Sequence, residues 1–435
     1  MFRRDFVARV LGATMVPSFS PPSSTRQAGS VRVDGARLNR HLAELATFGR
    51  SATGTNRVAY TEADLAGRSY VMDLMRSARL EVRVDPAGNI FGRRDGREAG
   101  RPVILFGSHI DSVPDGGNYD GDVGALGAIE VAHTLADRRI VTRHPIEVVV
   151  FQNEEGGTVG SKLMATGVTE AELERVARSG KTIREGIGII GGDLNRLAEA
   201  RRKPGDLLCY FELHIEQGGT LDEAGIQIGV VEGIVGIRWF EVTIEGFANH
   251  AGTTPMDRRR DAMLAAARLT VAVNQVVRTN PGRQVGTVGR ISAVPGTVNV
   301  IPGRVILTID LRDLSTEKLT MLTSRFQEEA GKIAAETGTT IKFREMSTND
   351  PAPADPRLRG IVARSADALG LTHRDLPSAA GHDAQEVARI APVGMIFVPS
   401  VRGISHSPEE LSRPEDITNG ANVLLGAVLA ADRGL

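Results

Sequence analysis

Three consecutive segments carry the main structural pattern of the chain: VILFGSHID at residues 103–111, GALGAIEVAHTLADRR at 124–139 and IEVVVFQNEE at 146–155. The first and last segments are nearly continuous apolar runs, whereas the middle segment has apolar residues at helical spacing. Strand, helix and strand in this order predict a βαβ unit that contributes to a buried parallel sheet. Ligands of such sheets collect at the carboxyl ends of the strands, and both apolar runs place charged residues there.

The segment from residue 233 to residue 346 has a different order of elements. Its pattern predicts the βαββαβ order of a small open-faced sandwich that can fold on its own. The predicted elements are a strand at Trp239–Glu245, a helix at Arg260–Arg278, strands at Gln284–Ser292 and Arg304–Leu311, a helix at Thr316–Thr337 and a strand at Thr339–Phe343. An α/β pattern returns after this segment, with a helix predicted at Leu358–Leu369 and a strand at Val393–Val398. We therefore predict an N-terminal segment at 1–32, a discontinuous catalytic domain at 33–232 and 347–435, and an inserted domain at 233–346.

Composition excludes several classes of protein. The 435 residues include 52 Lys and Arg against 53 Asp and Glu, so the net charge is −1. A protein that binds nucleic acid or an anionic membrane usually has an excess of basic residues, which this chain lacks. No apolar run in the body of the chain has the length of a membrane span. The one cysteine, Cys209, excludes an internal disulfide and a multi-cysteine zinc site. A metal ion would therefore be bound by histidines and carboxylates.

The first residues read MFRRDFVARV, and a short, weakly apolar stretch and a Pro/Ser-rich linker follow. Arg3-Arg4 in this context is typical of a twin-arginine export signal, which would place the protein in the periplasm or outside the cell. The alternative is a disordered basic tail on a cytoplasmic protein. The sequence leaves both locations open.

Potential metal ligands stand at the predicted strand ends and in the adjoining loops: His109, Asp120, Glu155, His214 and His406. Two divalent ions close together need about this set, with one bridging carboxylate and open positions for water and substrate. Taken singly, a histidine at a strand end is more often an ordinary hydrogen-bonded residue. The prediction of a metal centre depends on the combination.

Two more carboxylates adjoin this set. Asp111 lies two residues after His109 on the same face of an extended strand, where its carboxylate could fix the tautomer of a ligand imidazole. Glu154 adjoins Glu155, so one of them can bind metal while the other acts as a base in amide hydrolysis. A non-catalytic binding protein on a degenerate enzyme scaffold is the alternative, but such a protein would have lost ligands or the base.

The order of five motifs is informative: GSHIDSVPDGGNYDG (107–121), FQNEEGG (151–157), ELHIEQG (212–218), NHAGTTPM (249–256) and GISHSPEE (403–410). They resemble the di-zinc peptidase/amidase superfamily and, within it, the hydantoinase/carbamoylase branch. From about residue 35 to the C-terminus, the resemblance implies an α/β fold. Its catalytic domain would be di-zinc exopeptidase-like with a mixed, largely parallel sheet, and the inserted ferredoxin-like domain would serve as lid and dimerisation domain.

The resemblance also implies roles at the metal centre. His109 and His214 would bind one ion, Glu155 and His406 the other, and Asp120 would bridge both. The implied cofactor is a pair of divalent ions, with Zn²⁺ favoured and Mn²⁺, Co²⁺ or Ni²⁺ as alternatives. In this family the bridging aspartate often precedes a cis peptide bond, which would be Asp120–Gly121 here.

Further roles follow from the same resemblance. Glu154 would be the base that activates water. His250 would reach the active site of a neighbouring subunit and stabilise the oxyanion, so a homodimer is expected. The implied substrate contacts are Gln217, Asn299, Arg312 and His382. Arg312 suits a carboxylate, because its planar fork donates two hydrogen bonds.

These expectations favour a metal-dependent amidohydrolase that cleaves a linear amide or ureido C–N bond. The favoured substrate is an N-carbamoyl-L-amino acid, which would yield the amino acid, ammonia and carbon dioxide. Alternatives in the same fold are an allantoate or ureidoglycolate amidohydrolase, a β-ureidopropionase and, less favoured, an aminoacylase or peptidase. The expected partners are a small carboxylate-bearing substrate and a second copy of the chain.

Overall fold

A computed structural model describes residues 31–435, so the predicted signal at Arg3-Arg4 lies outside the described residues. Residues Val33–Leu435 form one compact unit. The helices are α1 (Gly35–Leu45), α2 (Glu62–Ser77), α3 (Asp122–Asp137), α4 (Val159–Ala165), α5 (Glu170–Leu173), α6 (Ile183–Ile189), α7 (Thr220–Ala224), α8 (Ala262–Thr279), α9 (Thr316–Thr337), α10 (Pro356–Ala368), α11 (Asp383–Val387) and α12 (Pro414–Gly434).

The strands are β1 (Glu81–Val84), β2 (Ile90–Arg94), β3 (Val103–His109), β4 (Ile146–Phe151), β5 (Leu207–Ile215), β6 (Ile228–Ile234), β7 (Gly236–Glu245), β8 (Asn249–His250), β9 (Val285–Val294), β10 (Val300–Ile301), β11 (Arg304–Asp313), β12 (Thr340–Asn349), β13 (Ala352–Pro353), β14 (His373–Ser378) and β15 (Val393–Val398). Within residues 31–435, no helix combines the length and the apolar character needed to cross a membrane.

Nine strands form the larger sheet, in the order β1-β2-β4-β3-β5-β15-β6-β13, and β14 pairs with β6. The central strands β4, β3, β5 and β15 run parallel to one another. Antiparallel pairs stand on either side of them, between β2 and β4 and between β15 and β6. This mixed sheet confirms the α/β fold class.

The predicted βαβ unit is present as β3, α3 and β4. Every residue of β3 and β4 is buried, which is why both strands read as continuous apolar runs instead of alternating ones. Helix α3 packs against β3 and β5 on one side and against α1 and α12 on the other. It is therefore buried over almost its whole length.

The smaller sheet is antiparallel, in the order β12-β7-β11-β9. Its four strands and the helices α8 and α9 follow one another in the predicted βαββαβ order. One of its faces packs on α8 and α9 around an apolar core of its own. Strand β11 alternates accordingly: Leu307, Ile309 and Leu311 are buried, whereas Asp310 and Arg312 lie on the open face. The three predicted domain ranges stay a prediction.

Candidate active site

The larger sheet positions the candidate metal ligands at one edge. His109 is the last residue of β3, His214 is the penultimate residue of β5, and Glu155 follows the end of β4. These three strands are parallel, so their carboxyl ends meet. Two loops complete the group: the loop before α3 carries Asp120, and the loop between β15 and α12 carries His406.

His109, Asp120 and His214 form the first group of ligands, and their donor atoms lie within 4.8 Å of one another. Nε2 of His214 is 3.0 Å from Oδ1 of Asp120, and Nε2 of His109 is 3.9 Å from the same oxygen. His214 Nε2 nevertheless has no hydrogen-bond partner among the residues that the structure describes. The imidazole and the carboxylate therefore face a common point, as the ligands of a cation do.

Asp120, Glu155 and His406 form the second group, again with donor atoms within 4.8 Å of one another. Nε2 of His406 lies 2.9 Å from Oδ2 of Asp120 and 3.3 Å from Oε1 of Glu155. Asp120 thus offers one oxygen to each group. This is the geometry of a carboxylate that bridges two cations.

Backbone carbonyls fix the tautomers of two histidines. Nδ1 of His109 is 3.0 Å from the carbonyl oxygen of Asp111, and Nδ1 of His214 is 2.9 Å from that of Ile215. With Nδ1 donating to these oxygens, Nε2 of each ring is free to bind a metal ion. We expected the carboxylate of Asp111 to contact His109, but its Oδ1 lies 3.8 Å from His109 Nδ1. The backbone carbonyl of Asp111 makes the contact instead.

The Asp111 carboxylate holds the turn that carries the two glutamates. Its two oxygens accept hydrogen bonds from the backbone N–H groups of Glu154 and Glu155, each at 3.1 Å. Oε2 of Glu154 lies 3.6 Å from Nε2 of His109. Glu154 therefore lies beside the first ligand group while Glu155 belongs to the second.

Several buried acidic side chains lie close together in the site, so a bound cation would stabilise their charged forms. Burial and the nearby carboxylates of Asp383 and Glu155 raise the pKa of Glu154 well above its usual value. Burial, with the charge of Asp120, raises the pKa of Glu155 to about 8. Burial lowers the pKa of His109 to about 4 and keeps the ring neutral. A neutral imidazole beside clustered carboxylates is a donor set that fits a divalent cation.

The loops around the site contain strained backbone. Asn153, Gln217 and His406 have positive φ angles of 51°, 58° and 53°. For residues with a side chain this left-handed conformation costs free energy, and it concentrates at functional sites. Here it turns Gln217 and His406 toward Asp120.

The peptide bond expected to be cis is not. In residues 31–435 the cis bond is Val294–Pro295, so the prediction for Asp120–Gly121 is wrong. Gly121 makes the turn with a φ of 68° instead. A Cβ atom there would lie 2.4 Å from the His109 ring, so only glycine fits between the ligand loop and the imidazole.

A pocket of about 410 Å³ opens over the candidate ligands. Gln217 lines it, and its Nε2 donates to Oδ2 of Asp120 at 2.9 Å. His382 also lines it, with Nε2 2.8 Å from Oγ of Ser378. The side chains of Ser347 and Asn349, from β12 of the smaller sheet, complete the wall.

Residues 105–430 match the peptidase family M20/M25/M40. The chain belongs to this family. The match covers both ligand groups and the smaller sheet, and it confirms the resemblance based on the five sequence motifs.

Within this family, the chain is similar to two named relatives and to one solved structure. It is 40% identical over 408 residues to an N-carbamoyl-L-amino acid amidohydrolase of Geobacillus stearothermophilus, covering 92% of this chain and 100% of that protein. It is 37% identical over 415 residues to a ureidoglycolate hydrolase of Arabidopsis thaliana, covering 92% and 87%. The crystal structure of a hydantoinase/carbamoylase family amidase from Burkholderia multivorans superposes with a TM-score of 0.83 at 41% identity, covering 92% and 98%.

Three predicted site residues of this M20/M25/M40 member lie outside the pocket: the catalytic candidate His250 and the substrate contacts Asn299 and Arg312. His250 is exposed on β8, which pairs with β10, and Asn299 is nearby because its carbonyl accepts from the N–H of Ala251 at 2.9 Å. Arg312 lies closer to the pocket, since its Nη1 donates to the carbonyl of Ala379 at 2.7 Å. The structure thus brings together the ligands, Glu154, Gln217 and His382, but not this second set.

Glu410 is not among the site residues predicted from the sequence, although this residue lies in the same motif as His406. Its Oε1 accepts from the backbone N–H groups of Tyr119 and Asp120, at 2.9 and 3.1 Å. Its Oε2 accepts from Oγ of Ser405 at 2.8 Å and from the N–H of His406 at 3.3 Å. One buried carboxylate therefore joins the two ligand loops.

Proposed function

We propose that the protein is a metal-dependent hydrolase of linear C–N bonds other than peptide bonds, and that its substrate is an N-carbamoyl-L-amino acid. The observation that carries the proposal is Asp120, which offers one oxygen to each of two ligand groups, with Glu154 beside them. The relative from Geobacillus stearothermophilus, matched over its whole length, supports the choice of substrate.

The proposed cofactor is a pair of divalent ions. His109, His214 and Asp120 would hold one ion, and Asp120, Glu155 and His406 would hold the other, with Zn²⁺ favoured over Mn²⁺, Co²⁺ and Ni²⁺. Ions bound there would supply Lewis acidity, which polarises the substrate carbonyl and makes a water molecule easier to deprotonate.

Glu154 is the proposed proton carrier. Its carboxylate would take a proton from the attacking water as the C–O bond forms, and would give that proton to the ureido nitrogen as the C–N bond breaks. The products are the free amino acid and carbamate, which decomposes to ammonia and carbon dioxide. Hydrogen bonds from Glu154 and Glu155 to Asp111 keep the base in place.

Substrate binding involves the smaller sheet. Arg312 would bind the substrate carboxylate with Asn299, and Gln217 and His382 would contact the ureido group. His250 is exposed and outside the pocket of its own chain, so we assign it to the active site of a second copy, where it would donate to the developing oxyanion. The proposed active assembly is therefore a homodimer.

A second candidate function is the hydrolysis of ureidoglycolate or allantoate. It is favoured by the relative from Arabidopsis thaliana, a ureidoglycolate hydrolase with 37% identity. These compounds also present a carboxylate and a ureido group, so the same residues could bind them.

A substrate panel distinguishes the candidates. The protein would be stripped of metal, reloaded with Zn²⁺, Mn²⁺ or Co²⁺, and assayed for ammonia release from N-carbamoyl-L-amino acids, N-carbamoyl-β-alanine, allantoate and ureidoglycolate. N-acetyl amino acids and dipeptides would be assayed in parallel by release of the free amine. Metal-dependent turnover of the N-carbamoyl-L-amino acids above the others is expected. Turnover confined to allantoate or ureidoglycolate would favour the second function, and turnover confined to N-acetyl amino acids or dipeptides would contradict both.

A further inference from the structure

A hollow on the open face of the smaller sheet has no role in the site described so far. We propose that it binds the side chain of the substrate, so that the enzyme favours N-carbamoyl-L-amino acids with a large apolar or aromatic side chain. This inference rests on the proposed function and specifies its substrate class.

The hollow has a volume of about 360 Å³ and is mainly apolar. The residues that line it include Trp239, Gly289, Thr308, Ile309, Asp310 and Met346. Trp239 and Met346 are 42% and 48% exposed, although their side chains are among the largest apolar ones. Neither belongs to the core around α8 and α9. Two such side chains around one concavity are typical of a ligand site.

The hollow begins next to the proposed carboxylate anchor. Asp310 lines it and is paired in register with Trp239 on β7. Arg312 lies two residues further along β11 on the same face, about 7 Å away along the strand. Its Nε and Nη2 donate to the Asp310 carboxylate at 3.0 and 2.9 Å. The guanidinium group therefore lies at the rim of the hollow.

The other side of Arg312 adjoins the pocket of the metal ligands. Its Nη1 donates to the carbonyl of Ala379, and the next residue, Ala380, lines that pocket. Strand β12 joins the two cavities as well, because Met346 lines the hollow while Ser347 lines the pocket. Arg312 thus lies between an apolar hollow and the candidate metal centre.

This arrangement matches the three groups on the α-carbon of an N-carbamoyl-L-amino acid. When the substrate carboxylate binds Arg312 and the ureido group points to the metal pocket, the side chain of the substrate would occupy the hollow. A large apolar side chain would bury area against Trp239 and Met346. Allantoate and ureidoglycolate carry no apolar side chain and would leave the hollow empty.

Gly289 offers a way to fill the hollow. It lies at a β-bulge of β9 opposite Thr308 and Ile309. A Cβ atom at this position would have Thr308 Oγ1, at 3.8 Å, as its nearest neighbour, an ordinary contact. Gly289→Val should therefore fold and occlude the cavity. We expect kcat/KM for N-carbamoyl-L-phenylalanine to fall at least about tenfold, and that for N-carbamoyl-L-alanine to stay within about twofold.

A second variant and a matched control make the test independent of one substitution. Trp239→Ala should lower the ratio of kcat/KM for the phenylalanine substrate over the alanine substrate by about tenfold, because it removes one wall. Ile291→Ala should leave that ratio unchanged, since Ile291 is 48% exposed on β9 but does not line the hollow. The protein's one tryptophan also gives a direct readout: N-carbamoyl-L-phenylalanine should shift its fluorescence and N-carbamoyl-L-alanine should not.

The outcomes separate the inference from the function on which it rests. If the variants hydrolyse both substrates with an unchanged ratio, the side-chain site is wrong while the proposed function stands. If the wild-type protein hydrolyses no N-carbamoyl amino acid, the proposed function fails and the assignment of the hollow fails with it.

Discussion

The carboxylate of Glu410 accepts a hydrogen bond from the backbone N–H of Asp120 at 3.1 Å, and its other oxygen accepts from the N–H of His406 at 3.3 Å. The two ligand loops are 286 residues apart in sequence, so this contact fixes their relative position. Glu410→Gln replaces one acceptor oxygen with a donor that faces N–H groups. We expect metal affinity to fall about 10- to 100-fold, as is usual when groups that orient ligands are lost.

Isothermal titration of the metal-free protein with Zn²⁺ measures this effect. Glu409→Gln is the matched control, because Glu409 is exposed and pairs with Arg402 instead of the ligand loops. An affinity of Glu410→Gln equal to that of Glu409→Gln would show that Glu410 does not position the site.

Removal of metal should destabilise the fold. An ion that binds only the native state adds about 4 kcal/mol at a free concentration 1,000 times its Kd, which corresponds to several degrees in Tm. Chelation followed by differential scanning calorimetry should therefore lower the Tm of the wild-type protein. His109→Ala should have the lower Tm from the start and should lose most of its response to the chelator. Equal shifts in both proteins would argue against His109 as a ligand.

Arg312 should act on substrate binding more than on turnover. Loss of charge-assisted hydrogen bonds costs about 10- to 100-fold in affinity, so Arg312→Ala should raise KM by that amount with a smaller effect on kcat. Asp310→Asn should raise KM less, since it only loosens the guanidinium group. Arg304→Ala, at the far end of β11, should leave KM unchanged. Steady-state kinetics on one N-carbamoyl-L-amino acid gives all three values, and an unchanged KM in Arg312→Ala would refute the anchoring role.

The proposed role of His250 in the active site of a second subunit predicts complementation between two inactive variants. His250→Ala and Glu154→Gln should each be nearly inactive alone. After mixing and re-equilibration of equal amounts, hybrid dimers would contain one complete site, so about a quarter of the wild-type activity should return. If no activity returns although hybrids form, His250 does not serve a neighbouring subunit.

Much of the fold could be predicted because burial leaves a clear pattern in the sequence. Helix α9 and strand β15 lie within the predicted bounds of Thr316–Thr337 and Val393–Val398, since an apolar stripe and an apolar run mark them. For strand β12 the sequence pattern predicts an end at Phe343, but the strand continues to Asn349. Its last residues are exposed and, apart from Met346, polar. Their pairing with β7 uses backbone groups, which leave no trace in the side-chain pattern.

The parts of the site that could not be predicted depend on backbone geometry and on contacts between distant residues. The motifs indicated Asp111 as a partner of His109, but not that its carbonyl would make the contact while its carboxylate holds Glu154. The left-handed conformation of His406 is set by its loop and not by its residue type. The link made by Glu410 needs both loops to be in place.

The turnover of Glu154→Gln, with the metal content of the same sample measured by mass spectrometry, tests the proposed catalytic role of Glu154 directly. The substitution keeps the size of the side chain but removes its ability to carry a proton. We predict that the variant and the wild-type protein each bind two ions per chain, and that the variant hydrolyses N-carbamoyl-L-amino acids about 10²- to 10⁴-fold more slowly. Turnover within a few-fold of wild type at unchanged metal content would show that Glu154 is not the base of a two-metal hydrolase.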